Sequence, residues 1–220
     1  MTMEIEGSGL LLLSGGFDSP VAGHMMRTNR GTDVLAIHFS LEPVTDDASV
    51  HKAAKLAGTL GFRRLFVVRA GEAFKEIVKR TRHKLYFVLS KRLMMRVASE
   101  VARREGCAWL ITGESLGQVS SQTLANLRAI DLAATVPVLR PLLAFDKQEI
   151  IDRAKAIGTY DISVGPELCD VLGPEHPATQ AKLDEVAAEE ARLDVDGLVG
   201  QVLSTLAVVD IAAKPAEVAA

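Results

Sequence analysis

Directly after an apolar run, Leu10–Leu13, the chain reads Ser14-Gly15-Gly16-Phe17-Asp18-Ser19 and then enters a helical pattern from Ser19 to Arg27. A glycine pair between a short buried strand and a helix lets the backbone turn sharply and approach a ligand with no Cβ in the way. Successive N–H groups in such a turn form an anion-binding nest at the positive end of the helix dipole. Ser14 and Ser19 add hydroxyl donors to it. Asp18 reads in two ways, as a carboxylate holding a magnesium ion that bridges phosphate oxygens, or as an N-cap of the following helix. The loop holds no lysine and no GxxxxGK[ST] pattern, so it is not a Walker loop. Nor is it a GxGxxG dinucleotide fingerprint.

The rest of the chain repeats this strand-then-helix alternation. Val34–Phe39, Leu65–Val68, Ala108–Thr112 and Val136–Leu139 read as four further strands. Helical patterns run from Asp46 or Asp47 to Leu60, from about Leu85 to Glu105, over 120–134, from Asp146 to Ile157 and over 178–192. Asp146 with Glu149 is a capping box. Strands alternating with helices predict an α/β fold, a doubly wound, mostly parallel five-stranded sheet with helices on both faces. In such sheets ligands sit beyond the carboxyl ends of the strands at the switch point. That places a site at Ser14–Ser19 and draws in the loops after Phe39, Thr112 and Leu139. Residues 1–192 are expected to form this domain, and 193–220 a C-terminal helical and partly disordered tail.

Apolar residues make up 48% of the 220 positions, yet no apolar run reaches the roughly 20 residues that span a bilayer, so no membrane partner is expected. The N-terminus has no basic region before its apolar stretch and does not read as a signal peptide. The two cysteines, Cys107 and Cys169, form neither a metal-ligand spacing nor a disulfide framework, which suits a reducing, cytoplasmic compartment. A net charge of −3 gives no global case for nucleic-acid binding. Its distribution is uneven, however. Residues 75–104 carry Lys75, Lys79, Arg80, Arg82, Lys84, Lys91, Arg92, Arg96, Arg103 and Arg104 against Glu76 and Glu100 alone, and the C-terminal segment is acidic. The run is either a basic face for RNA or a solvated helix surface.

The Ser14-Gly15-Gly16-x-Asp18-Ser19 signature resembles that of the PP-loop ATP pyrophosphatases, which cleave ATP between the α and β phosphates to leave an adenylated substrate. The resemblance narrows along the chain. Leu13–Ala22, His38-Phe39, Lys91–Ala98 (KRLMMRVA), Thr112–Leu127 (TGESLGQVSSQTLANL), Leu139–Ile150 and Pro166–Cys169 are similar to the catalytic domain of the tRNA 4-thiouridine sulfurtransferases, the ThiI-like enzymes. It covers roughly residues 8–192, and TGESLGQVSSQT is its most specific piece.

That resemblance implies ATP-dependent thiolation of a tRNA uridine, with ATP and Mg²⁺ as cofactors. It implies a nucleotide site built from Ser14, Gly15, Gly16, Phe17, Asp18, Ser19, His38, Phe39, Gly113, Gln118 and Arg140. Asp18 would position magnesium and pyrophosphate, Lys147 would act in catalysis, and Cys169 would take part in persulfide or disulfide chemistry. Each has a plainer reading: His38 as a histidine at the end of the core, Lys147 as a surface lysine at a helix start, Cys169 as an inert buried thiol. Lys91, Arg92 and Arg96 face tRNA phosphates, or ATP, or solvent.

Full-length relatives carry N-terminal THUMP-type tRNA-binding domains, and many end in a rhodanese domain; the present chain is expected to lack both. Its partners would then be tRNA, held with a separate tRNA-binding protein, and a separate sulfur donor, either a persulfide carrier or sulfide. The acidic C-terminal segment offers a helix for a homodimer or for docking a partner. Two other functions fit the same residues: a PP-loop ATPase adenylating a small molecule, and a nucleotide-binding subunit without turnover.

Overall fold

The computed structural model describes residues 7–119, 122–165 and 171–211. Five parallel strands appear where the apolar runs lie: β1 (Ser8–Leu12), β2 (Asp33–Ser40), β3 (Arg64–Arg69), β4 (Cys107–Ile111) and β5 (Val138–Leu139). The helices are α1 (Asp18–Arg30), α2 (Ala48–Thr59), α3 (Gly71–Arg80), α4 (Tyr86–Glu105), α5 (Leu124–Asp131), α6 (Lys147–Ala156), α7 (Tyr160–Ser163), α8 (Leu183–Glu190) and α9 (Val195–Leu203). The sheet order is β5-β4-β1-β2-β3-β6.

The last strand in that order corrects the expectation of five. β6 (Ala207–Asp210) runs antiparallel to β3, with Leu65 opposite Val209 and Val67 opposite Ala207. Four residues with mostly exposed side chains carry no burial pattern for the sequence to show. β6 covers an edge that would otherwise present the unpaired groups of β3 to solvent. α9 and β6 both lie within the segment 193–220, and α9 packs its Leu198 and Val202 into the core.

Alternation along the strands divides the core into two layers. Leu10, Leu12, Leu35, Ile37, Phe66 and Val68 face one side, where α3, α4, α5, α8 and α9 pack. Leu11, Leu13, Val34, Ala36, Leu65 and Val67 face the other, covered by α1, α2, α6 and α7. The chain moves from β1 through β2 to β3 in one direction, then returns to place β4 on the far side of β1. The switch point therefore lies between β1 and β4, where open α/β sheets bind ligands. Among the described residues no helix is long and apolar enough to cross a membrane.

Candidate active site

The loop after β1 is closed by its own serines. Ser14 N donates to Ser19 Oγ at 2.9 Å, the two hydroxyls lie 3.0 Å apart, and Gly16 N donates to Ser14 Oγ at 3.2 Å. The hydroxyls expected to point at a ligand instead fix the turn. α1 starts at Asp18 with no side-chain cap, since Phe17 holds the N-cap position. This places the positive end of the helix at the turn.

The loop after β4 meets this turn. A Cβ on Gly113 would lie 2.4 Å from Ser19 N and 2.7 Å from Ser19 Cα, so only glycine lets the two loops touch. The next residue, Glu114, is buried and fully engaged. Oε1 accepts from Lys91 Nζ at 2.7 Å, and Oε2 from Arg140 Nε at 2.8 Å and Thr112 Oγ1 at 3.2 Å. Burial alone would raise its carboxyl. The charges of Lys91 and Arg140, and the hydrogen bonds from both, outweigh burial and hold it down to about 2. Arg140 also forms a two-point pair with Asp131, at 2.5 and 3.1 Å. It thus stands behind Glu114, outside the side chains that line the cleft. Gln118 does line the cleft, and its buried Nε2 finds no acceptor among the described residues. Gln122 braces the same loop by accepting from Ser115 N, while the helix cap falls to Thr123.

A cleft of about 1090 Å³ opens where these loops converge. It exceeds the range common for a single small ligand, and so has room for a nucleotide and a second reactant. Phe39 and α4, through Phe87, Ser90, Lys91 and Met94, form one wall. The Ser14–Ser19 loop, with Ser49 and Lys52 of α2 and Lys147 of α6, forms the other. His38 sits at the base. Its Nδ1 lies 2.9 Å from Leu13 O and its Nε2 3.1 Å from Ser49 Oγ. A carbonyl can only accept, so Nδ1 carries the proton and Nε2 accepts from Ser49. Burial pushes this imidazole below the ordinary histidine range, against the opposing pull of the Leu13 carbonyl. Both ring nitrogens are therefore occupied in tying β1 to β2 and α2.

Lys147 is the first residue of α6, behind the capping box of Asp146 and Glu149. Its Nζ stands 5.8 Å from the centre of the Phe17 ring, which itself stacks on Tyr160 at 5.2 Å. On α2, Lys52 Nζ donates to Ser163 O at 2.9 Å, and Ser163 Oγ donates to Gly16 O at 3.2 Å.

The basic run 75–104 is laced with ion pairs. Apart from Lys79, each of its lysines and arginines has a carboxylate within 4 Å. Arg92 and Arg96 both bind Glu190 of α8, and Arg92 also donates to Ala129 O. Cys169 and the rest of 166–170 lie outside the described residues, as does Ser120. Cys107 is buried at the start of β4, where burial raises its thiol.

Three residues of the site are absent from the sequence reading: Glu114, Lys52 and Ser163. Glu114 had a signal, a carboxylate directly after Gly113 at a strand's carboxyl end. Lys52 and Ser163 had none, because a contact between residues 111 apart in the chain leaves no local pattern.

A mostly parallel sheet with a Ser-Gly-Gly-x-Asp-Ser loop at its switch point, facing a glycine from the neighbouring strand's loop, defines a nucleotide-binding domain of the PP-loop class. The model of the family described as "Thiamine biosynthesis protein (ThiI)" matches residues 4–195. The chain belongs to that family. It is 43% identical over 209 residues to the probable tRNA sulfurtransferase of Alkaliphilus oremlandii, covering 92% of this chain and 53% of that protein. The probable tRNA sulfurtransferase of Thermus thermophilus is 43% identical over 205 residues, covering 90% of this chain and 50% of that protein. A crystal structure of a 4-thiouridine synthetase–RNA complex with bound ATP superposes with a TM-score of 0.87 at 36% identity, over 93% of this chain and 55% of that one. The chain thus spans about half the length of the relatives it matches. An NH₃-dependent NAD synthetase from Campylobacter jejuni shares the fold alone, with a TM-score of 0.54 at 17% identity.

Proposed function

We propose that this domain adenylates a tRNA uridine with ATP and supports its conversion to 4-thiouridine. The observation that carries this reading is the meeting of the Ser14–Ser19 loop with Gly113 at the switch point, beside a cleft that Lys52, Lys91 and Lys147 line. The thiouridine synthetase that superposes on it holds both ATP and RNA. A nucleotide fits the cradle on two counts: Gly113 lets the two loops close on each other at its edge, and the Gln118 amide awaits an acceptor.

Magnesium fits a donor set of Asp18 and phosphate oxygens, since that ion keeps several waters and takes few protein ligands. Among the described residues no group of three His, Cys, Asp or Glu would hold it by protein alone. When bound, it offsets phosphate charge. The chain's own residues supply the rest. The α1 N–H groups and Lys147 face the negative charge that builds as the uridine O4 bonds to the α-phosphorus and pyrophosphate departs. The α4 wall confines the base, which must leave its stack to enter. A sulfur nucleophile then adds at C4, AMP leaves, and a thiocarbonyl remains. Sulfide supplies that sulfur directly, or a separate persulfide carrier passes its outer sulfur to the Cys169 thiolate and leaves as a thiolate; the Cys169 persulfide then attacks C4, and an external thiolate takes Cys169 into a disulfide as the C4 sulfur is released. The tRNA is held with the help of a separate RNA-binding partner, and the setting is the cytoplasm.

Nucleoside mass spectrometry of unmodified tRNA, incubated with the chain, ATP, Mg²⁺ and sulfide, tests this. 4-Thiouridine is expected, with a loss of about a hundredfold or more in Asp18→Ala and Lys147→Ala. Absence of product even with a tRNA-binding partner, alongside AMP formation driven by a small carboxylate, would shift the acceptor from RNA to a small molecule.

A further inference from the structure

Loops of the Walker type carry their own lysine to the phosphates. The Ser14–Ser19 loop carries none, and the fold brings one to it from elsewhere. Lys52, half-buried on the inner face of α2, lays its stem across Gly15. A Cβ at Gly15 would lie 3.0 Å from Lys52 Cδ and 3.7 Å from Lys52 Nζ. The ammonium is fixed at that place by the Ser163 carbonyl, 2.9 Å away. Ser163 is itself buried, and its hydroxyl holds the Gly16 carbonyl at 3.2 Å. One residue of α7 therefore sets both the loop and the cation in a common register.

The charge balance at this point is incomplete. An ammonium has three donors and no acceptor, and the carbonyl takes one of them. No carboxylate lies within 4 Å of Lys52 Nζ among the described residues, whereas Lys91 across the cleft is paired with Glu114 at 2.7 Å. A half-buried cation with two free donors, lying on the Gly-rich turn and lining the cleft, is matched by an anion with several acceptor oxygens. A polyphosphate seated on the turn meets that description. We propose that Lys52 is a phosphate-binding residue of this site, contacting the pyrophosphate portion of the nucleotide, and that Ser163 is its positioning residue. The proposal rests on reading the cleft as an ATP site.

The test compares the wild-type chain with Lys52→Met and Lys52→Arg by calorimetric titration with Mg·ATP, pyrophosphate and adenosine, and follows tRNA-dependent AMP formation in parallel. Lys52→Met is expected to bind ATP and pyrophosphate about tenfold to a hundredfold more weakly. Its adenosine affinity should be unchanged, and Lys52→Arg should recover part of the loss. Unchanged ATP and pyrophosphate affinities would overturn the assignment. So would an equal loss for adenosine, which marks a merely structural role. Should Lys52→Met not fold, the wild-type chain answers by acetylation and mass spectrometry. Pyrophosphate should protect Lys52 and leave Lys55 reactive, and equal labelling of Lys52 with and without it would overturn the proposal. A wild-type chain that binds pyrophosphate but forms no AMP with tRNA sinks the uridine reading while Lys52 is still judged by the binding data. A wild-type chain that binds no pyrophosphate overturns Lys52.

Discussion

Glu114 is a buried carboxylate at the cleft that accepts from Lys91, Arg140 and Thr112. Its folded-state carboxyl is held at about 2, against an ordinary 4.5. A depressed carboxyl contributes stability that is fully present above the ordinary value and is lost as the pH falls through the folded one. The window is therefore roughly pH 4.5 down to 2, and the contribution at neutral pH is about 3 kcal/mol. Glu114→Gln leaves Lys91 without its counter-charge and Arg140 with Asp131 alone, so we expect about 3–5 kcal/mol lower stability at pH 7. The wild-type chain should lose about 2–3 kcal/mol more than the variant between pH 7 and pH 2.5, as denaturant titrations at both pH values will show. Parallel losses in the two proteins would refute the assignment. Gly113→Ala meets a different obstacle, the backbone of Ser19, which cannot swing aside as a side chain would. ATP affinity should drop about tenfold or more, checked by titration with the nucleotide. The turn at Asp18 and the close approach at Gly113 were legible because their geometry is local: glycine, serine and aspartate after an apolar run mark a strand-to-helix turn by type alone. The occupied nitrogens of His38 were not, since Leu13 and Ser49 approach it only when β1, β2 and α2 are assembled.

Elements were legible in proportion to how fully they carried both pattern and punctuation. The capping box of Asp146 and Glu149 marks the start of α6, and the apolar runs of β1 to β4 mark the buried strands. α3 went unread because Ala70 at its N-cap offers no capping side chain. The sequence pattern extended the helix of 178–192 beyond α8, Leu183–Glu190. The segment before α8 is instead held by Asn126, whose amide donates to Ala178 O and whose oxygen accepts from Ala181 N. α8 docks through Val186 in the core and through ion pairs. Glu190, with its side chain 14% exposed, receives two bonds from Arg92, 10% exposed, at 2.6 and 2.9 Å, and a third from Arg96 at 3.0 Å. A pair this buried is expensive to break from one side. Glu190→Ala should destabilise the chain by about 3–5 kcal/mol, whereas the triple variant Arg92→Met, Arg96→Met, Glu190→Leu should recover most of that loss, because it removes the three paired charges together. Denaturation midpoints of the two variants decide the matter. Equal destabilisation would mean that the helix is held by shape and not by charge.

At the scale of the molecule, the helix layers and the switch point were foreseen from alternation alone, while the use of charge was not. A run of ten cations between residues 75 and 104 suggests an RNA face in one dimension. In three dimensions the cations of 75–104 meet counter-ions on α3 and α4, on α8 and at Glu114, and only Lys79 of that run has no carboxylate within 4 Å among the described residues. Polyelectrolyte binding depends on cations that release counter-ions from phosphates, and each phosphate neutralised steepens the salt dependence by a slope of about 0.7–0.9. A chain of net charge −3 whose basic run is largely engaged in ion pairs offers few such contacts. We expect this 220-residue chain to bind tRNA weakly, in the range of about 10⁻⁴–10⁻⁶ M that marks non-specific association. The slope of log K against log salt should be no steeper than about −2 between 50 and 200 mM, measured by fluorescence anisotropy with labelled tRNA. A slope near −5 or beyond would mean that the ion pairs of α4 open onto the RNA, which would make Arg92 and Arg96 phosphate ligands after all and release α8 as tRNA binds. A shallow slope leaves recognition to the cleft itself, where an extruded base meets the α4 wall. The catalytic domain would then select its substrate by the shape of one nucleotide and leave the rest of the tRNA to its partners.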